Sequence, residues 1–271
     1  MSPIPKGTQA DDTESPSVPA SLKQHPKDGA ARLRLERDAE FIEIGLGWVH
    51  GTYEEVFPRA APLLSPSEAK LLTNLEFPRR RESYLLGRYA AKRGLLLLLN
   101  EPDGSRISVF SGAFDQPLVE YPSQRGVSIT ITHTQGLALG LAFPVGHPMG
   151  IDVERKDASR LAILVAQMTS AERAWAETSG LEEVTCATML WTMKEALAKA
   201  LTTGLMSPWE IYATGEWRCI GEGIWESRFL NFAQYRAVTW MADDAILSLA
   251  LPRNSLLSPD ALQVVATALR G

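Results

Sequence analysis

The sequence predicts an α+β fold, in which helices and strands are mixed without the regular βαβ alternation of a doubly wound sheet. Three patterns predict it: an alternating strand segment at residues 127–132, and two long helical segments at residues 78–99 and 183–203. The chain has 271 residues, of which 45% are hydrophobic, so it can form either one large domain or two small ones.

The first half of the chain is predicted to follow a disordered tail. Residues 1 to about 30 are rich in Pro, Ser, Gly, Asp and Lys and show no periodic apolar face, and the tail is expected to span residues 1–35. Ser65, followed three residues later by an acidic residue, marks a helix start, and Pro78 opens the first long helical segment. Three apolar residues are spaced for an inward face of that helix: Leu85, Tyr89 and Leu95.

Strands are predicted at five places along the chain. Residues 127–132 alternate Val or Ile with Ser or Thr, which is typical of a half-buried strand. Apolar segments follow at residues 137–141 and 149–153, and two more, at residues 228–241 and 245–251, flank an Ala-Asp-Asp turn. The strands therefore fall in both halves of the chain.

Two helices are predicted in the second half. Thr169 and Glu172 have the spacing of a capping box, and Gly180 is placed to end the helix that they begin. Residues 183–203 form the next helix, which we expect Gly204 to stop.

Charge and cysteine usage exclude several classes of protein. The chain has 27 Lys and Arg against 32 Asp and Glu, so it lacks the positive charge of a general nucleic-acid binder. Cys186 and Cys219 are too few for a disulfide scaffold and lack the spacing of metal ligands. The first residues have no signal-peptide apolar core, and the aliphatic run at residues 95–99 is far shorter than a membrane span. We therefore expect a cytoplasmic protein that binds neither nucleic acid nor membranes.

Two acidic residues near the end of a predicted strand are candidate metal ligands. Asp152 and Glu154 are two residues apart in Gly-Ile-Asp-Val-Glu, so their side chains project from the same face of the strand. Mg²⁺ commonly takes one or two carboxylates and completes its octahedron with water and phosphate oxygens. The alternative, which is more common for this pattern alone, is an exposed polar strand end.

Glu195 and Lys199 form a second candidate pair, because a separation of four residues puts both on one helical face. A surface ion pair worth about 0.2–0.5 kcal/mol is the alternative for this pair in isolation. If Glu195 joined Asp152 and Glu154 as a third carboxylate, Lys199 would instead be placed to meet a phosphate.

Basic and hydroxyl side chains in the first half suggest phosphate contacts. His133 follows the alternating strand and is flanked by Thr132 and Thr134, whose hydroxyls can donate hydrogen bonds to phosphate oxygens. A histidine satisfied by its surroundings, or a solvated helix face, is the ordinary alternative for such residues. Three basic residues of the first long helix recur at spacings of seven and four, on one side: Arg81, Arg88 and Lys92.

The order of these pieces resembles the 4'-phosphopantetheinyl transferase superfamily. Its members carry a Gly-Ile-Asp-x-Glu strand followed by a Trp-x-x-Lys-Glu-Ala-x-x-Lys helix, here GIDVE at residues 150–154 and WTMKEALAK at residues 191–199. Supporting motifs are the arginine-rich helix, ITHT at residues 131–134, and MTSAE at residues 168–172 in place of the family's Phe-Ser-x-x-Glu. The resemblance covers residues 80–205, and the GIDVE and WTMKEALAK motifs are its specific part.

The resemblance implies that the protein moves the phosphopantetheine arm of coenzyme A to a serine of an apo acyl or peptidyl carrier protein, releasing 3',5'-ADP. Asp152, Glu154 and Glu195 would then hold Mg²⁺, for which Mn²⁺ is an alternative. Glu195 would take the serine proton, and Lys199 would steady charge on the diphosphate as the leaving group departs. This is holo-acyl-carrier-protein synthase activity.

Contacts to coenzyme A are implied in the same way. His133 resembles the family histidine beside the 3'-phosphate, and Thr132 keeps a hydroxyl next to it. The other expected contacts are Arg81, Arg88, Lys92, Asp152 and Lys199. The family's Gly-Lys-Pro lysine is missing, because Gln116 precedes Pro117 here, and Arg125 is a candidate substitute.

The length implies the long, single-chain type of the family, which activates surfactin synthetase, works as a monomer, and serves polyketide, nonribosomal peptide or fatty acid synthesis. We expect two similar α+β halves with the active site between them. The expected bounds are a tail at 1–35, halves at 36–146 and 147–255, and a C-terminal segment at 256–271.

Two other functions remain open. One is a different magnesium-dependent phosphotransferase or phosphohydrolase that uses the same three acids without a carrier protein. The other is a catalytically silent coenzyme A-binding protein, although the intact set of three acids and Lys199 argues against silence.

Overall fold

A computed structural model describes residues 27–122, 126–204 and 207–270. It has mixed α+β architecture, as the sequence predicts. The strands are β1 Asp28–Arg37, β2 Glu40–His50, β3 Ser108–Ser111, β4 Pro117–Glu120, β5 Val127–Thr134, β6 Leu137–Pro144, β7 Gly150–Arg155, β8 Thr214–Gly221, β9 Ile224–Phe229, β10 Tyr235–Met241, β11 Ala245–Pro252 and β12 Leu256–Leu257. The helices are α1 Tyr53–Ala60, α2 Pro66–Asn74, α3 Pro78–Leu99, α4 Leu161–Ala166, α5 Ser170–Thr178, α6 Glu183–Ala200 and α7 Pro259–Arg270.

The strands form two antiparallel five-stranded sheets and a separate hairpin. The first sheet has the order β12-β1-β2-β6-β5, and the second has the order β7-β11-β10-β9-β8, while β3 pairs with β4. The chain changes sheets between Pro144 and Gly150, and β5 and β7 lie next to each other where the sheets meet. The domain bounds themselves stay a prediction.

One long helix packs on each sheet, α3 on β2 and β6, and α6 on β7 and β11. Glycine makes this close packing possible, because a Cβ on Gly150 would lie 2.0 Å from the carbonyl oxygen of Ala196. The first residue of the GIDVE motif therefore lets β7 lie directly against α6, which carries the WTMKEALAK motif.

The faces of the two sheets that point away from α3 and α6 share one apolar core. Leu46 and Leu139 of the first sheet belong to the same buried cluster as Ile151 and Leu247 of the second. The C-terminal segment completes this core, since α7 contributes Val265 and β12 pairs with β1 of the first sheet. The two sheets are thus joined through a common interior.

Several predicted element bounds need correction. The expected tail overlaps β1, because Leu33 and Leu35 are buried in the shared core, and residues 1–26 lie outside the described residues. Helix α6 ends at Ala200, earlier than predicted, because the backbone turns left-handed at Thr202 with a φ of 55°. The segment at 228–241 is two strands, β9 and β10, separated by a turn.

The prediction of a half-buried strand at residues 127–132 is wrong for its polar face. Thr130 and Thr132 are 4% and 2% exposed, because the neighbouring strand β7 covers them. The backbone N–H of Ile151 donates to Thr130 Oγ1 over 3.4 Å, and that of Val153 donates to Thr132 Oγ1 over 2.9 Å. These threonines therefore hold the two sheets together.

His147 makes the stability of the fold dependent on pH. Its side chain is buried and its Nε2 shares a 3.0 Å hydrogen bond with Ser255 Oγ. Burial, together with the charge of Arg37, lowers the pKa of His147 below its ordinary value of 6.5. The unfolded chain therefore takes up this proton more readily, and the contribution of His147 to stability falls as the pH drops below about 6.5.

When the pH is lowered from about 7.5 to about 5, we expect the wild type to lose more stability than His147→Gln. Urea midpoints of the two proteins at both pH values check this result. A difference that is constant with pH would contradict it.

Candidate active site

A cavity of about 940 Å³ lies between the two halves of the chain. Its walls come from the starts of α1 and α3, the end of β5, and the end of β7 with the turn that follows it. The side chains that matter for chemistry are Tyr53, Arg79, Arg81, His133, Glu154 and Arg160.

Asp152 lies at the inner edge of this site and is 5% exposed. Its Oδ1 accepts hydrogen bonds from Lys199 Nζ over 2.7 Å and from Thr132 Oγ1 over 3.1 Å. Its Oδ2 is buried and has no hydrogen-bond partner among the described residues. A buried carboxylate oxygen without a partner is costly, so a ligand that binds it would gain correspondingly.

The negative charge of Asp152 affects both Glu154 and Glu195. Burial, followed by the charge of Asp152, raises the pKa of Glu154, and the nearby Arg160 opposes this rise. Burial also raises the pKa of Glu195 to about 7, with Asp152 as the next cause and Glu154 adding to it, while Lys199 opposes the rise. The acids of β7 and the acid of α6 are thus close enough to repel one another, as a shared site requires.

Lys199 lies between a second cavity and the three acids Asp152, Glu154 and Glu195, which we call the acidic group. Its side chain is 31% exposed and its Nζ also lies 3.4 Å from the carbonyl oxygen of Ile131. The second cavity, about 420 Å³, lies between the β3–β4 hairpin, β5 and the end of α6, and Lys199 forms part of its wall. The ammonium group therefore meets the acids on one side and open space on the other.

His133 is exposed and lines the first cavity, and its ring favours the neutral form. Desolvation by the surrounding protein, followed by the charge of Lys199, lowers the pKa of His133. Thr132, in contrast, uses its hydroxyl to donate to Asp152 and to accept from β7. The predicted contact between Thr132 and coenzyme A is therefore replaced by a supporting contact to the acidic group.

The structure separates the three predicted phosphate contacts of α3. Arg81 lines the cavity, where its guanidinium lies 5.1 Å from the centre of the Tyr53 ring. Arg88 instead packs over the ring of Tyr84 at 4.6 Å and faces Glu68 at 3.7 Å, with its side chain 11% exposed.

Lys92 is fully buried, so its predicted contact with a nucleotide phosphate is wrong. Its Nζ lies 2.7 Å from Glu68 Oε2 and donates to the carbonyl oxygens of Gly104 and Ile107. The spacing of Arg88 and Lys92 does place them on one helical side, but that side faces the interior and the buried carboxylate of Glu68.

Lys92→Met is expected to destabilise the protein by about 3 kcal/mol, at the lower end of the loss for a broken buried pair, because the buried Glu68 loses its closest cation and keeps only Arg88 at 3.7 Å. Urea unfolding at neutral pH measures the loss, with Lys70→Met on the exposed face of α2 as the control. Unfolding free energies that match for the two variants would contradict the structural role of Lys92.

Sequence reasoning missed two features of the site. Arg160 Nη1 lies 3.0 Å from Glu154 Oε2, and no spacing rule links residues six apart after a strand end. Lys194, next to Glu195 in the motif, is buried and pairs with Glu172 at 2.7 Å. Adjacent helical residues project about 100° apart, so Lys194 braces the fold while Glu195 faces the site.

A short loop that contains Gln116 occupies the position of the family's Gly-Lys-Pro lysine. Gln116 Oε1 accepts a 2.8 Å hydrogen bond from the backbone N–H of Phe114, so this side chain is engaged within its own turn. The candidate substitute Arg125 lies outside the described residues.

The acidic group fits a hard divalent cation. Within the described ranges, no three His, Cys, Asp or Glu side chains are already arranged as a metal cluster. Even so, the donors are carboxylate oxygens, which Mg²⁺ and Mn²⁺ prefer, and the buried Oδ2 of Asp152 has no partner among the described residues. A cation among Asp152, Glu154 and Glu195 would also relieve the repulsion that raises the pKa of Glu195.

In the part of the chain that the structure describes, no helix combines the length and apolar character needed to cross a bilayer.

Part of the chain matches a known protein family. The model of the 4'-phosphopantetheinyl transferase superfamily matches residues 148–240, a segment that contains all of β7 and α6. No curated protein matches the chain. The matched segment includes Asp152, Glu154, Glu195 and Lys199, so this part of the chain is similar to the 4'-phosphopantetheinyl transferase superfamily.

Proposed function

We propose that this phosphopantetheinyl transferase moves the 4'-phosphopantetheine arm of coenzyme A to a serine of an apo acyl or peptidyl carrier protein, with Mg²⁺ or Mn²⁺. One observation carries the proposal: Glu154 lines a cavity together with His133, Arg79 and Arg81, and Asp152 on the same face of β7 has a buried Oδ2 without a partner among the described residues. Carboxylates for a cation next to bases for phosphates suit a diphosphate substrate.

In the proposed reaction, the serine oxygen attacks the phosphorus that bears the pantetheine arm. The new bond forms between that oxygen and phosphorus, while the bond from phosphorus to the 3',5'-ADP oxygen breaks. Glu195 receives the serine proton, directly or through one water, as the general base. Lys199 stabilises the negative charge that develops on the 3',5'-ADP leaving group as the diphosphate is cleaved.

Asp152, Glu154 and Glu195 are the residues that would hold the cation, which when bound neutralises the diphosphate and makes its phosphorus more electrophilic. Thr132 keeps Asp152 in position through the 3.1 Å hydrogen bond to Oδ1. His133 and Arg81 remain the proposed contacts to the phosphates of coenzyme A, whereas Arg88 and Lys92 are assigned to packing within the first half.

The long, single-chain type remains part of the proposal, with one site between two α+β halves of a cytoplasmic monomer. Fatty acid, polyketide and nonribosomal peptide carriers are the candidate acceptors. Because the chain is itself net negative, overall charge would not attract an acidic carrier, and docking would depend on local surfaces.

The test incubates the protein with coenzyme A, Mg²⁺ and apo carrier proteins of each class. We expect intact-mass analysis to show a carrier gaining one phosphopantetheine arm, and the gain to vanish when the acceptor serine of that carrier is changed to Ala. Coenzyme A binding without modification of any carrier would favour the silent protein. Phosphate release from other substrates, without carrier modification, would favour the hydrolase.

A further inference from the structure

Arg160 lies between the acidic group and the first cavity. Its Nη1 is 3.0 Å from Glu154 Oε2, and its side chain, 37% exposed, forms part of the cavity wall together with Arg79 and Arg81. A single guanidinium therefore faces a candidate metal ligand on one side and the space proposed for an anionic substrate on the other.

The backbone of Arg160 is fixed by the turn that carries it. Asp157 Oδ1 accepts hydrogen bonds from the backbone N–H of Ser159 over 2.9 Å and from its hydroxyl over 2.6 Å, at the start of the 3₁₀ turn Ala158–Arg160. The charged end rests on an aromatic surface, with its Cζ 5.7 Å from the centre of the Trp191 ring. Trp191 in turn stacks on Trp209 with 4.3 Å between ring centres.

This arrangement anchors the backbone while leaving the guanidinium room to change partners. Arginine can slide over an aromatic face without losing the cation–π attraction, which has no directional hydrogen bond to break. The ion pair with Glu154 is partly exposed, because the glutamate side chain is 25% accessible, so breaking it costs little.

We propose that Arg160 is a positioning residue that competes with a divalent cation for Glu154 and, once displaced, binds the anionic part of the substrate in the same cavity. The competition follows from charge, because a dication on the Glu154 carboxylate repels a guanidinium 3.0 Å from its oxygen. The displaced guanidinium, anchored at Trp191, then faces the cavity with Arg79 and Arg81. Arg160 would thus couple metal binding to substrate binding, an inference that rests on the proposed function.

The coupling predicts opposite effects of one substitution. In Arg160→Met, Mn²⁺ alone is expected to bind about two- to fivefold more tightly, because Glu154 no longer has a competing cation. Coenzyme A at saturating Mg²⁺ is expected to bind about two- to fivefold more weakly, because one cationic partner of its phosphates is gone. If Arg160 only stabilised the fold, Arg160→Met would weaken the binding of both Mn²⁺ and coenzyme A. Calorimetric titration of each ligand therefore separates a structural role from the proposed coupling.

Two further variants complete the test. Arg155→Met removes the same charge from the same cavity wall, but Arg155 pairs with Asp244 rather than Glu154, so Mn²⁺ affinity should stay close to wild type. Arg160→Lys keeps the charge and should restore Mn²⁺ affinity to near wild type and part of the affinity for coenzyme A. Thermal unfolding of each variant checks that it is folded before it is titrated.

The inference is overturned if Arg160→Met weakens or leaves unchanged the binding of Mn²⁺, or if Arg155→Met tightens it equally. If instead the proposed function is wrong, the wild type leaves the carriers unmodified, and the affinities of Arg160→Met for Mn²⁺ and coenzyme A do not affect that result. Opposite shifts without carrier modification would support the coupling while rejecting the carrier as acceptor.

Discussion

Glu195→Gln is expected to lower the rate of phosphopantetheine transfer by about 10²- to 10⁴-fold, the usual contribution of a general base. The fold should be retained, because the amide matches the size of the carboxyl group and removes a charge that burial, Asp152 and Glu154 already disfavour. Initial rates of holo-carrier formation, measured by mass at saturating coenzyme A and Mg²⁺, give the size of the loss.

Glu177→Gln, on the exposed side of α5, is the matched control and should transfer at the wild-type rate. The role of Glu195 would be contradicted if Glu195→Gln and Glu177→Gln had the same activity. A Glu195→Gln protein that fails to unfold cooperatively in urea would contradict the second half of the prediction, that the amide preserves the fold.

Asp152→Asn is expected to reduce transfer by about 10²- to 10³-fold, since a metal ion supplies several kcal/mol of charge stabilisation. Asparagine can still accept the hydrogen bond from Thr132, but it loses the negative charge and one oxygen donor for the cation. The binding of Mn²⁺ alone should weaken in parallel, which calorimetry measures without any substrate present.

Asp243→Asn, in the exposed turn between β10 and β11, provides the control for a lost surface carboxylate. If Asp152→Asn and Asp243→Asn bind Mn²⁺ with the same affinity, Asp152 is not a metal ligand. Transfer that survives Asp152→Asn while Mn²⁺ binding is lost would instead separate the cation from the reaction.

The sequence was most informative where local pattern and chemistry coincide. The helix start at Ser65 and the capping box at Thr169 are present as predicted, and the apolar residues Leu85, Tyr89 and Leu95 of α3 are all buried. The acids of β7 and the Glu195–Lys199 pair were identified by motif order, because each motif lies within one element and its spacing does not depend on distant contacts.

Other features depend on contacts between distant parts of the chain. The placement of β7 beside β5 buries Thr132, and the period-two alternation of β5 contains no information about that neighbour. The spacing of Arg88 and Lys92 defines a common side of α3, but only the position of Glu68 on α2 determines that this side is buried. Arg160 joins the site through a turn for which the sequence has no periodic signal.

The predicted end of the N-terminal tail, at residue 35, was wrong for a different reason. Leu33 and Leu35 alternate with arginines, which is a strand pattern, but the polar composition upstream favoured a tail that extended over them. The alternation is the better predictor here, because burial of Leu33 and Leu35 against the second sheet stabilises β1.

The most direct test follows both products of a single turnover in the wild-type protein. With coenzyme A, Mg²⁺ and an apo carrier, we predict one molecule of 3',5'-ADP for each carrier that gains the phosphopantetheine arm, and neither product when Mg²⁺ is replaced by EDTA. Release of 3',5'-ADP without a modified carrier, or equal carrier modification with and without the divalent cation, would contradict the account of this site.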